Sequence, residues 1–287
     1  VEESLLTIGR RIEGIGSSYH LCNSSFYYQV FRVIAGCFFD REDWIDTALE
    51  CPGGVKSALS PPEPTGGNRD LRWYMFGDND SPHRRLQRFA GGTVDGCIWN
   101  ETGGYGLNAM LSQLLFIAEA LRKRGGFDLY EYEAPGGGNL RKIFQAALAR
   151  TFSNGFQVRF GANGTEDCRG FDPVGNDEPH LLLPRAPEGG KWDIAYLRYG
   201  DPGFAWAALQ YPERRYVASK WGCIALWFGQ DASEMNVRKP TAPSVCYPEF
   251  KVAVMRSDES ESYWMSDALT VAARWGGGIY RAHPDQM

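Results

Sequence analysis

A chain of 287 residues with 43% hydrophobic content has ample apolar mass for a core, in one large domain or two smaller ones. Its net charge of −5 is mild, and the absence of a basic run excludes a nucleic-acid footprint. No apolar run reaches the length of a membrane span.

Aromatic residues are abundant at 14%, with 9 Trp and 14 Tyr, a supply that serves core packing or stacking on sugars and other flat ligands. The 7 Cys, at positions 22, 37, 51, 97, 168, 223 and 246, include no CxxC pair. That excludes zinc-ribbon and thioredoxin readings, and the odd count argues against a complete disulfide framework. The sequons at Asn23, Asn79, Asn100 and Asn163 permit secretion in a eukaryote. The chain starts at Val1 with no Met or signal peptide and stops at Met287 after a strand-like region. We read this as a processed chain or a piece of a longer one.

In chain order, residues 1–20 are mixed and read as the end of an element begun upstream. Ser24 to Phe39 reads as a buried helix, broken at Asp40. Glu42 to Glu50 reads as a short second helix, stopped by Cys51-Pro52-Gly53-Gly54. Together they predict an antiparallel helical hairpin. Residues 59–82 are loop-like, with Pro, Gly, Asn and Asp throughout. A short helix is predicted from Pro82 to Phe89.

The stretch Asp95–Gly126 organises the chain. Its first half reads as a Gly-containing loop carrying Trp99, Glu101 and Tyr105. In its second half, Leu107, Met110, Leu111, Leu114, Leu115, Ala118 and Leu121 repeat at the spacing of one buried helix face. Arg122, Lys123 and Arg124 suit the negative end of the helix dipole, and Gly125-Gly126 stop it. Asp128-Leu129-Tyr130 starts another short element, Gly136 to Gly138 is a turn, and Leu140 to Phe152 is a further amphipathic helix.

Residues 153–191 form a long region rich in Gly, Asn, Asp and Pro. Helical patterns resume at Trp192–Tyr199, Pro202–Gln210 and around Tyr216–Phe228. The stretch 238–247 reads as a linker. Beyond it Phe250–Arg256 and Ala268–Trp275 alternate as strands do. Helical hairpins followed by strands predict an α domain and the start of a β domain.

Three ordered stretches carry a family resemblance. CNSSFYYQVFRVIAGCFFDREDWIDTAL (22–49) is similar to an Asn, aromatic helix, Asp-containing loop and short helix ending in Ala-Leu. DGCIWNETGGYGLNAMLSQLLFIAEALRKRGGFDLYEY (95–132) is similar to a block of DG, an acidic residue, Tyr, helix and G-x-DLY. YPEFKVAVMRS (247–257) with GGGIYRAHPDQM (276–287) is similar to opening β-strands and a His-containing turn. Together they resemble the heparinase II/III-like polysaccharide lyases and the related alginate lyase domain.

The resemblance implies a mainly α fold: an incomplete (α/α) toroid of helical hairpins over 1–237, a linker at 238–247, and the first strands of an antiparallel β-sandwich over 248–287. It also implies helices before Val1, a β domain continuing past Met287, and a secreted or periplasmic location.

It further implies a lyase that cuts a uronic-acid polysaccharide by β-elimination. A base removes the proton on C5, an acid protonates the leaving oxygen on C4, and a third group stabilises the carboxylate. Tyr105 matches the catalytic Tyr, as acid, base or both. Asn23 matches the position that hydrogen-bonds the substrate carboxylate. Ser24 and Ser25 follow it where related proteins often carry His, and His20 is the substitute base.

His283 matches a His of the β-domain turn, with Arg281 standing where a first His is often found. Glu101 matches an acidic position, and Trp99, Trp73 and Arg72 are candidate linings of a sugar cleft, with Arg281 able to neutralise a carboxylate. No cofactor follows for this chain. A structural zinc belongs to the continuing β domain, since His283 and Asp285 offer only two ligands here. The partner implied is an acidic polysaccharide, with no nucleic acid and no membrane.

The residues alone leave other readings open. Tyr105 also suits packing at a helix start, Asn23 suits an N-cap or a glycan, His283 suits an exposed turn, and Trp residues are commonly core. Glu101 and Asp95 are the carboxylate pair a glycoside hydrolase would need. A non-catalytic carbohydrate-binding protein is the third reading.

Overall fold

The computed structural model describes Thr7 and residues 26–51, 54–61, 93–99, 110–153, 190–209, 235–249 and 252–275. The described residues are mainly helical, with a two-stranded hairpin and a small three-stranded antiparallel sheet. They fall into two compact units divided between Leu140 and Arg141.

In the first unit, α1 (Tyr27–Phe39) is followed by α2 (Glu42–Glu50) and α3 (Val55–Leu59). Phe26, Val30 and Val33 supply the buried face of α1, each at most 7% exposed. Asp40 ends that helix in the left-handed region at φ 54°, a conformation Asp tolerates better than most residues. Gly36 lets α2 approach. A Cβ there would lie 2.7 Å from Ile45 Cγ1 and 3.0 Å from the Arg41 carbonyl oxygen.

Glu42 and Asp43 occupy the first turn of α2, where carboxylates suit the helix dipole, and Trp44, Ile45, Ala48 and Leu49 are buried beneath it. The predicted hairpin is therefore present, with α1 packed against α2.

The segment before the long helix differs from the expected loop. Strands β1 (Thr93–Val94) and β2 (Ile98–Trp99) pair antiparallel, with Thr93 opposite Trp99 and Val94 opposite Ile98. Asp95 and Gly96 turn the chain at φ 52° and 68°, values that only Gly adopts without penalty and that Asp accepts. Thr93 fixes the hairpin to the end of α3, its N–H donating to the Ser60 carbonyl at 2.9 Å and its hydroxyl to the Ala58 carbonyl at 2.6 Å. Two-residue strands are too short to set a readable period in sequence.

Helix α4 (Leu111–Arg124) follows the predicted apolar spacing and ends where Gly125 was expected to stop it. It is buried on more than one face, because Ser112, Gln113 and Glu119 join the apolar residues inside. Burying side chains such as Leu114, Leu115, Ile117 and Leu121 is worth about 1.5–3 kcal/mol each, so tertiary packing rather than helix propensity holds this element.

The second unit contains α5 (Leu140–Ala149), which begins at the division, then α6 (Gly190–Tyr199), α7 (Pro202–Leu209), β3 (Val245–Tyr247), β4 (Val252–Arg256), a 3₁₀ turn (Glu261–Met265) and β5 (Thr270–Arg274). Helices α6 and α7 pack against each other. They meet at Gly200 and Asp201, and the Asp201 carboxylate accepts the Gly203 N–H at 2.9 Å, an N-terminal cap for α7. Phe144, Trp192 and Phe204 form a triangle of tilted rings with centroids 5.2, 5.6 and 5.7 Å apart.

The sheet order is β3-β4-β5, all antiparallel. Val252 and Val254 face inward against Phe152, Val245 and Ala272. Residues 238–247, expected as a linker, contain β3. Helix α5 ends at Ala149, short of the expected Phe152. The Arg256 guanidinium accounts for that end, donating to the carbonyls of Ala149 and Thr151 at 2.7 and 2.9 Å and so satisfying groups a helix terminus leaves free. The predicted helices at 82–89 and 216–228 lie outside the described residues.

Candidate functional site

The sequence directs attention to the starts of α1 and α4, because Asn23 stands three residues before Phe26 and Tyr105 five before Met110. The described structure fixes the other ends of those helices. Arg124, in the last turn of α4, donates to the carboxylate of Asp40 at 2.7 Å and also to that of Glu42. Asp40 is the residue that ends α1. Helices α1 and α4 also pack against each other. Two packed helices whose C-terminal ends meet run in the same direction, so the chain enters both from the same end.

These charges follow the expected electrostatics. The carboxylate of Asp40, and then that of Glu42, hold the Arg124 guanidinium well above its ordinary pKa. Such a fork satisfies two acceptors with one planar group and lies at the negative end of the α4 dipole. Nearby, burial raises the Cys37 thiol, with Arg124 opposing. Burial likewise raises the Tyr27 phenol. Neither group is thereby prepared to act as a base near neutrality.

The DLY segment after α4 is structural. The Asp128 carboxylate takes Arg122 at 2.7 Å and the Tyr130 N–H at 2.9 Å. Leu129 is fully buried. The Tyr130 hydroxyl donates to the buried Glu119 carboxylate at 2.6 Å. Sequence reading singled out Asp128, Leu129 and Tyr130 but missed Glu119 as their partner. Glu119 lies beside the apolar stripe rather than on it, so the helical spacing gave no signal for its burial.

The residues predicted for the site itself are reached only in part. Tyr105, Asn23, His20, His283, Glu101, Trp73, Arg72 and Arg281 lie outside the described residues, as do all 4 His of the chain. Trp99 is placed by its backbone alone, in β2 opposite Thr93. Among the described residues, no group of three or more His, Cys, Asp or Glu could hold a metal ion. No helix of the described residues is long and apolar enough to cross a membrane. No family model matches the chain, and neither a curated protein nor a solved structure matches it.

Proposed function

We propose that the chain is the helical-toroid part of a polysaccharide lyase that cleaves a uronic-acid polymer by β-elimination. The observation that supports this reading is the shared direction of α1 and α4. In sequence, Asn23 lies four residues before the start of α1 and Tyr105 six before that of α4, and those two starts share one end of the packed pair. A carboxylate-binding amide and a phenol on two such segments suit a reaction centred on one sugar ring.

In the proposed reaction the base takes the C5 proton, and the electron pair forms the C4–C5 double bond. The bond from C4 to the glycosidic oxygen breaks, and that oxygen receives a proton. Asn23 donates its amide N–H to the uronate carboxylate, whose charge rises as the proton leaves. Tyr105 delivers or accepts a proton. Its phenol, ordinarily near pKa 10, must then lose its proton in concert with the sugar or be perturbed by neighbours. His20 is the alternative base. His283 and Arg281 belong to the same proposal, with Glu101, Trp99, Trp73 and Arg72 as the sugar-contacting set.

The test is a panel of uronate polysaccharides read by near-ultraviolet absorbance, which rises when the C4–C5 double bond forms. A positive polymer should lose at least about 100-fold in rate with Tyr105→Phe, the scale of acid–base catalysis. New reducing ends without absorbance would mean hydrolysis. Unchanged elimination by the Phe variant would remove Tyr105 from the mechanism.

A further inference from the structure

The β1–β2 hairpin is seated between two other segments of the first unit. On one side Thr93 holds it to the end of α3 through the Ser60 and Ala58 carbonyls. On the other lies the glycine turn at residues 136–138. That turn is closed by its own backbone: the Ala134 N–H donates to the Gly138 carbonyl and the Gly137 N–H to the Ala134 carbonyl, each at 2.8 Å. A Cβ on Gly96 would stand 3.3 Å from the Gly137 carbonyl oxygen and 3.4 Å from that of Gly136. A Cβ on Gly136 would stand 2.5 Å from Pro61 Cγ, and one on Gly138 would overlap the Leu59 carbonyl oxygen.

Contacts of backbone on backbone leave little play, because neither side has a rotamer to change. Gly96 and Gly136 also hold left-handed φ values of 68° and 87°. Gly138 is buried and is not among the left-handed glycines. The close approach to Leu59 is therefore what demands a glycine there.

We propose that Gly138 is a positioning residue for Tyr105, acting through the hairpin, a role that rests on the lyase reading. Tyr105 stands six residues after Trp99 and five before Met110. One end of that stretch is held by α4, which packs on α1. The other end is held by the hairpin, and the hairpin by its seat. A shift of the seat is passed to the stretch that carries the phenol. A misplacement of about 1 Å can cost an enzyme roughly 100-fold in rate.

The experiment compares Gly138→Ala, Thr93→Val and Gly125→Ala in the full chain. Gly125 has a left-handed φ of 86° and, among the described residues, no atom within 4 Å of its Cβ position. Its substitution strains the same unit without touching the hairpin. Amide exchange at Thr93 is read first. Gly138→Ala should speed it at least about 10-fold while the α4 amides stay protected, and Gly125→Ala should leave it unchanged. Thr93→Val keeps that amide and removes only the hydroxyl donor. It should speed the same exchange by less, and it carries the test if Gly138→Ala does not fold.

Elimination is read next, on a uronate polymer that the unaltered chain cleaves. Gly138→Ala should lower kcat at least about 10-fold with KM little changed, the mark of a contact made in the transition state. Thr93→Val should lower it less, and Gly125→Ala should keep it. Unaltered exchange at Thr93 in both hairpin variants overturns the seat. Faster exchange with unaltered kcat overturns the positioning role and leaves the lyase reading standing. If the unaltered chain cleaves no uronate polymer, the lyase reading fails and the positioning role falls with it, while exchange at Thr93 still decides the seat.

Discussion

Both units have apolar cores, but they place their charged groups differently. The first is clipped at its surface by ion pairs: Arg124 with Asp40 and Glu42, Arg41 with Asp43, Lys56 with Glu50, and Arg122 with Asp128. The second has surface pairs too, Arg238 with Glu261 and Arg141 with Asp201, and adds a buried guanidinium. Its Phe144, Trp192 and Phe204 rings are packed together. Its Arg256, 8% exposed, donates to the carbonyls of Pro243, Ala149 and Thr151 while lying 4.9 Å from the Tyr263 ring centroid. Solvent-exposed pairs contribute little and are screened by salt, whereas a buried guanidinium is costly to disturb because its partners cannot turn to water. Disturbing the buried groups of the second unit should thus cost more than cutting any one surface ion pair of the first.

The largest break in that comparison is expected at Phe204, which is 1% exposed. Phe204→Ala should destabilise the second unit by about 3–5 kcal/mol, read as a fall in its urea midpoint. A loss below about 1 kcal/mol would show that the aromatic triangle can collapse onto the space.

Arg256→Met comes next. It keeps the apolar stem and removes the donors to three carbonyls, at an expected cost of about 2–4 kcal/mol. Faster amide exchange should appear around Ser244 and Thr151 first. The Arg256 Nε is itself buried without a hydrogen-bond partner, so part of the native arrangement is already unfavourable. An unchanged midpoint would mean that this penalty cancels the other bonds.

In the first unit the expected effects are smaller. Tyr130→Phe removes the phenol from the Glu119 carboxylate and should cost about 1–2 kcal/mol. Adding Glu119→Gln should recover part of that loss, because a neutral amide is less costly to leave short of a donor. Non-additivity in this double-mutant cycle is the readout.

Acid gives the smallest and most distributed effect. Arg41 lowers the Asp43 carboxyl below its ordinary pKa, Ser262 and then Ser260 lower that of Asp258, and Ser244 lowers that of Glu259. A carboxylate depressed in the folded state adds stability that is present above its unfolded pKa of about 4. That stability is lost as pH falls through the lower folded value. Neutralising Asp43→Asn should flatten the acid limb of the first unit, and Asp258→Asn that of the second. Thermal scans from neutral to strongly acidic pH would reveal either change, and an unaltered acid limb in both would assign acid sensitivity to other groups.

How much of this was legible depends on length scale. Helix α2 was predicted with its observed ends because Glu42 and Asp43 mark its start, while Cys51, Pro52 and the glycines mark its stop. The main strands followed the change of period near residue 250: β4 ends at Arg256 as expected, residues 250–251 lying outside the described residues, and β5 is shorter than expected at both ends. The hairpin at Thr93–Trp99 and strand β3 were missed because two or three residues define no period. Arg256 was missed for the opposite reason, since the Ala149 and Thr151 carbonyls it binds lie 107 and 105 residues away in the chain. The proposed site rests on residues such as Tyr105 and Asn23, whose pairing depends on how distant segments meet. Local periodicity carries no information about that, and of this set only Trp99 lies among the described residues.

Asp40 loads two tasks on one side chain. Its backbone turns left-handed to finish a helix, a local job. Its carboxylate receives a guanidinium from 84 residues further along, a job that closes a long loop. A single replacement there confounds the two. Asp40→Gly relaxes the turn and drops the charge, Asp40→Asn keeps most of the turn preference and drops the charge, and Asp40→Leu loses both. The series would separate the entropy of ending a helix from the entropy of joining distant parts of a chain.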